Sequence, residues 1–87
     1  MSLPKEISTA VFKRDKFRCR HCWVRDNLHP HHVVFKSQGG SDALNNLLTL
    51  CFVCHRALHD GKLNMEVRGL LQQDLIVRFT RIKGWKP

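Results

Sequence analysis

Two Cys-x-x-Cys pairs, Cys19–Cys22 and Cys51–Cys54, constrain this chain more than any other feature. Each pair sets two thiols on one tight turn. Two such turns can close a tetrahedron of sulfur around one zinc ion, with bonds of about 2.3 Å. Four thiolates leave no open position, so a site of this kind holds structure and carries no chemistry. With 87 residues the chain can bury only a small core, and domains of that size commonly need a staple. Disulfides could serve, but the spacing favours zinc. The first residues, Met1-Ser2-Leu3-Pro4-Lys5-Glu6, also lack the apolar leader of an exported chain. No stretch approaches the ~20 apolar residues of a membrane span. These features predict one reduced, cytoplasmic domain over residues 1–87, with no membrane partner.

Twenty-eight residues separate Cys22 from Cys51, more than the roughly 15–20 of common two-knuckle zinc patterns. The insertion holds His31, His32 and Asn46, and His55 and His59 follow the second pair. Around it, Pro4 followed by Lys5–Asp15 reads as a helix, with Ile7, Ala10, Val11 and Arg14 at helical spacing. Phe12 and Phe17 are expected against the knuckles. His32–Phe35 is a short β-branched and aromatic run, ended by turn chemistry over 36–41. Asp42–Asn46 reads as the return loop and Leu47–Leu50 as a second apolar run. His55–His59 continues from the second knuckle as helix, ended by Asp60-Gly61, and puts two imidazoles on one helix face. In the tail, Leu63, Met65 and Val67 alternate with polar residues, and Leu75–Ile82 is rich in β-formers. Two strands joined through 69–74 are favoured over one helix striped by Val67, Leu70, Leu71, Leu75, Phe79 and Ile82. Trp85 would close over the core.

The histidines are then the residues left over. His31 and His32 are adjacent, so on a strand they face opposite sides and can hold different jobs. His31 with His55 and His59 makes a three-nitrogen set that leaves positions open for water and a phosphate oxygen, as a metal-assisted hydrolase requires. His32, whose imidazole can titrate near neutrality, suits a general base. His21 reads as exposed; His29 could reach substrate or an extra metal, but a solvated loop histidine is the favoured reading. Charge points to the partner. Fifteen Lys and Arg oppose seven Asp and Glu. Residues 1–20 and 62–87 each carry six bases and two acids, whereas the histidine-bearing middle is balanced. Basic arms around a neutral centre suit a polyanion gripped by its phosphates, so nucleic acid is the expected partner and a small molecule is not the expected substrate. Lys13, Arg14, Lys16, Arg18, Arg20, Lys36 and Arg56 are the candidate backbone contacts.

The run His31-His32-Val33, Gly39-Gly40-Ser41-Asp42, Asn46-Leu47, Leu50-Cys51-Phe52-Val53-Cys54-His55 and His59 resembles the HNH endonuclease family in its four-cysteine form. The match is strongest over about 18–61, and Ala10–Asp15 resembles the lead-in helix of many members. The resemblance implies an α+β fold: a small zinc-stabilised ββα-metal (His-Me finger) domain, here with an N-terminal helix and a short C-terminal extension. It implies cleavage of DNA phosphodiesters with one divalent cation, leaving a 5′-phosphate and a 3′-hydroxyl. By position it puts His31, His55 and His59 on that cation and makes His32 the general base. Asn46 becomes the middle residue of the motif, bracing the loop or ligating metal, with bracing favoured and Asn45 the weaker choice. The structural ion is zinc; the catalytic one is Mg²⁺, Mn²⁺, Ni²⁺ or Zn²⁺, and three imidazoles are softer than Mg²⁺ prefers. The competing readings are a non-catalytic zinc-finger-like DNA-binding module and an RNA nuclease; the chain has no Tyr for base stacking. Target sequence, monomer or homodimer, nicking or double-strand cutting, and a setting in phage, mobile element or restriction system stay open.

Overall fold

The first helix, α1, spans Lys5–Arg14 as expected. Pro4 opens it with a fixed φ that needs no N–H, Glu6 lies in its first turn and Lys13 and Arg14 in its last, each matched to the helix dipole. Lys16 and Phe17 then both take left-handed backbone conformations, and the Phe17 N–H returns to the Phe12 carbonyl at 2.8 Å, which stops the helix. Phe17 is left exposed, so it does not pack on a knuckle. The computed structural model describes residues 3–34, 36–71 and 74–86.

From the first knuckle the chain enters β1 (Leu28–His32), which pairs antiparallel with β2 (Leu47–Cys51), Leu28 opposite Cys51 and His32 opposite Leu47. Every residue of β2 is buried. The strand expected over 32–35 therefore lies four residues earlier, and Phe35 falls outside the described residues. The reason is the partner. The ladder runs only while β2 faces it, and beyond His32 the Val33 N–H meets the carbonyl of Asn46, where β2 has not yet begun. Pro30, a poor strand residue, is tolerated because β1 is an edge strand. The helix α2 (Phe52–His59) starts directly from β2, one turn earlier than His55, and the sulfur of Cys51 caps it by accepting the Cys54 N–H at 3.4 Å. Gly61, with φ of 75°, ends that helix. Strands β1 and β2 with α2 form the ββα unit.

The tail is a hairpin, β3 (Leu63–Leu71) with β4 (Asp74–Arg81), so the two-strand reading holds. A bulge at Arg68 shifts the register between Val67 and Gly69. The core gathers Cys19, Leu48, Leu50, Cys51, Cys54, Ala57, Leu63 and Leu75, with Trp85 packed against it. Leu63 and Leu75 come from the hairpin, so the extension is stapled to the knuckles by burial.

A buried carboxylate fastens the remaining pieces. Asp15 is 4 % exposed. It takes two hydrogen bonds of 2.9 Å from Arg14, one of 2.8 Å from Arg20 and one of 3.0 Å from the Thr49 N–H. Arg14 also donates to the carbonyls of Leu44 and Leu47, and Arg20 to Asp74 and the carbonyl of Leu75. Helix α1, the first knuckle, β2 and β4 thus meet at one charge cluster. Burial pushes the Asp15 carboxyl up, but the Arg14 hydrogen bonds, the Thr49 contacts and the Arg14 charge outweigh it and hold it below the usual carboxylate value.

Candidate active site

The four cysteines converge as their spacing predicts. All are free thiols, and their sulfur atoms lie within 4.8 Å of one another, Cys22 and Cys51 at 3.5 Å. Tetrahedral zinc with ~2.3 Å bonds holds its sulfurs roughly 3.8 Å apart, a separation close to that of this set. The knuckle backbones point inward as well: the His21 N–H lies 3.4 Å from the Cys19 sulfur. Burial and the neighbouring thiols push the Cys54 thiol up, and burial does the same to Cys22. Four sulfurs at this separation cannot all ionise unaided; a dication relieves that repulsion.

His21, read as exposed, is not. It is half-buried between the first knuckle and the hairpin. Its Nδ1 sits 3.2 Å from the Cys54 sulfur, its Nε2 accepts from Arg81 at 3.2 Å, and its ring lies 5.0 Å from Phe79 and 6.0 Å from Trp85. Nothing local announces this; the partners stand more than thirty residues away.

The second set lies where β1 faces α2. His31 is buried, with its ring centroid 5.1 Å from that of His55, and His55 and His59 are 5.8 Å apart, as their one-turn spacing requires. Burial first, then the neighbouring imidazoles of His55, His32 and His59, pull the His31 pKa down to about 4. Burial and the nearby His29 and His59 lower His55 too. Both rings are therefore neutral at physiological pH, with lone pairs suited to a cation. Open clefts run on either side: Phe52, His55, Arg56, His59 and Asp60 line one, and His31, Leu58, His59, Leu63, Asn64 and Met65 the other. His29 also belongs here. It lies on β1 and not on a loop, 5.9 Å from His55 and 6.2 Å from Phe52.

His32 turns the other way, to Asp42, with 2.8 Å between its Nε2 and the carboxylate. Asp42 sits in the Gly-Gly-Ser-Asp turn, where sequence reasoning gives it no role of its own; an acid shortly after a His pair is the one signal that points to it. Asn46 is buried behind this loop. Its Oδ1 accepts from the Val34 N–H at 2.9 Å, and its Nδ2 donates to the carbonyls of Val34 and Ser41 at 3.1 and 2.8 Å. Both amide protons are thereby used, and the amide ties the two ends of the 34–41 loop together.

The candidate DNA contacts divide. Lys13 and Lys16 are exposed and Arg18 is half-buried. Arg56 is exposed and pairs with Asp60 at 3.6 Å. The side chain of Lys36 falls outside the described residues. Arg14 and Arg20 are half-buried and donate to the Asp15 cluster, where they act as internal staples.

The model of the HNH endonuclease family matches residues 19–61, from the first knuckle to the end of α2. The chain belongs to the HNH endonuclease family. The chain is also similar to two curated proteins. The protein named Anaredoxin from Nostoc sp. (strain PCC 7120 / SAG 25.82 / UTEX 2576) is 35 % identical over 64 residues, covering 72 % of this chain and 84 % of that one. The type IV methyl-directed restriction enzyme EcoKMcrA of Escherichia coli (strain K12) is 33 % identical over 74 residues, which is 75 % of this chain but 27 % of that enzyme. No solved structure matches. The HNH assignment makes this a domain of nuclease type that binds DNA, and its cysteine cluster supplies the donors of a structural zinc site. Among the described residues no helix is long and apolar enough to cross a membrane.

Proposed function

We propose that this HNH domain is a metal-dependent DNA endonuclease that hydrolyses phosphodiester bonds. His31, His55 and His59 hold a divalent cation, and His32 is the general base. The observation that carries the reading is the pairing of His32 with Asp42 beside three imidazoles on β1 and α2. A divalent cation bound there supplies a Lewis acid for the phosphate and the leaving oxygen.

The residues divide the remaining work. With its Nε2–H donated to Asp42, the His32 ring presents Nδ1 as the acceptor for a proton from water. The Asp42 carboxylate holds the ring in that tautomer and stabilises the imidazolium once the proton arrives. Asn46 acts through His32: by fastening Val34 and Ser41 it fixes the loop that carries Asp42. We assign it a positioning role and not a place on the metal. Lys13, Lys16, Arg18 and Arg56 are proposed to grip the DNA backbone, which gives affinity with little sequence preference.

The test is cleavage of supercoiled plasmid with Mg²⁺, Mn²⁺, Ni²⁺ or excess EDTA, beside His32→Ala. We expect EDTA to stop cleavage. The variant should lose about 10²–10⁴-fold in rate while still binding DNA, the usual share of a general base. Intact plasmid under every metal, with binding retained, would establish a non-catalytic DNA-binding module instead.

A further inference from the structure

We infer that His29 is a fourth imidazole of the metal site, recruited by nitrogen-preferring ions such as Co²⁺, Ni²⁺ or Zn²⁺ and ignored by Mg²⁺. The inference rests on the reading that His31, His55 and His59 hold a cation.

His29 and His31 occupy alternate positions of β1 and so share its α2-facing side. The His55 ring is the hub between them. Three imidazoles surround it, with centroids at 5.1 Å (His31), 5.8 Å (His59) and 5.9 Å (His29). Two imidazoles bound to one tetrahedral ion through nitrogens at about 2.0–2.1 Å have centroids roughly 5 Å apart. His29 thus meets His55 at the same near-ligating range as His59 does. Among the described residues no hydrogen bond or ion pair engages either His29 nitrogen; its ring lies near His55 and Phe52 at the mouth of the cleft. The imidazole nitrogens are not gathered within 4.8 Å of one another as the cysteine sulfurs are, so an ion would draw them together, and the exposed His29 side chain is free to turn toward it.

Ion identity follows from ligand chemistry. Borderline ions gain from each added imidazole, whereas Mg²⁺ keeps oxygen ligands and several of its waters. His29 should therefore separate the two classes, and the separation is measurable without cleavage.

The experiment uses the full chain with zinc already in the cysteine site. Co²⁺, Ni²⁺ and Mg²⁺ are titrated by calorimetry, and the visible Co²⁺ spectrum is recorded, for the wild type, His29→Ala and His31→Ala. We expect His29→Ala to weaken Co²⁺ and Ni²⁺ by about tenfold or more, alter the cobalt bands and leave Mg²⁺ affinity unchanged. Its exposed position means that far-UV circular dichroism should not change. Wild-type Co²⁺ affinity and an unaltered spectrum in a folded His29→Ala protein would overturn the inference. His31→Ala tests the underlying reading separately: if it binds Co²⁺ as the wild type does, the three-histidine site itself is wrong.

Discussion

At the scale of single residues, charge is the property most easily misread. For Arg14 and Arg20, sequence displays the charges and hides their partners. Those partners are Asp15, two carbonyls in and beside β2, and Asp74 at the far end of the chain. The consequence is measurable. Asp15→Asn leaves two half-buried guanidiniums with only the half-exposed Asp74 as counter-charge, which should cost about 3–5 kcal/mol. In a domain this size each kcal/mol moves the melting temperature by roughly 4–8 °C. Asp74, whose side chain is half exposed, should matter far less, so Asp74→Asn should shift stability by no more than about 1 kcal/mol. Thermal melts of the two zinc-loaded variants decide the matter: equal melting temperatures would refute the assignment of Asp15 as the hub. The sign in pH follows. A carboxyl held below its ordinary value of 3.8 stabilises the fold above that pH and ceases to do so as acidity protonates it in the folded state. The cysteines, by contrast, are legible in the sequence, because a knuckle is a local turn whose spacing is its geometry. His32 and Asn46 are legible as types and positions, while Asp42 is not, since its contact with His32 depends on how a ten-residue loop closes.

At the scale of elements, local pattern succeeds where it implies the partner and fails where it does not. The apolar run of β2 marks a strand buried on both faces. The β-branched run after His32 marks nothing, because a strand lasts only as long as its neighbour. The hairpin is ambiguous in sequence for a physical reason: the bulge at Arg68 breaks strict alternation, and the shifted apolar residues then also satisfy a helical stripe. That hairpin lies beyond the residues matched to the family and carries exposed Arg68 and Arg78 on its outward face, flanking Glu66. Its expected role is to lay positive charge along a DNA backbone. Replacing both arginines with alanine should lower the dependence of log affinity on log salt by about 0.9 for each phosphate no longer neutralised, equally on unrelated duplexes. An unchanged salt slope, measured by fluorescence anisotropy, would remove the hairpin from the interface.

At the scale of the whole molecule, the zinc site is the centre of the core and not an appendage to it: three of its four cysteines belong to the buried cluster, and Cys51 also caps α2. Structural zinc contributes about 10–16 kcal/mol in small domains, as much as a domain's entire stability. Stripping the metal with a strong chelator, or replacing Cys51 with serine, should therefore unfold the chain, seen as loss of the helical signal in far-UV circular dichroism. A native spectrum from zinc-free protein would disprove this. The extension follows the knuckles for the same reason. Trp85 lies along the ring of His21, which touches Cys54, while Trp23, the other tryptophan, stands in solvent. The molecule thus carries its own optical gauge: the exposed indole should emit as a solvated ring, and the colour of the other should record whether the final residues are seated on the knuckle.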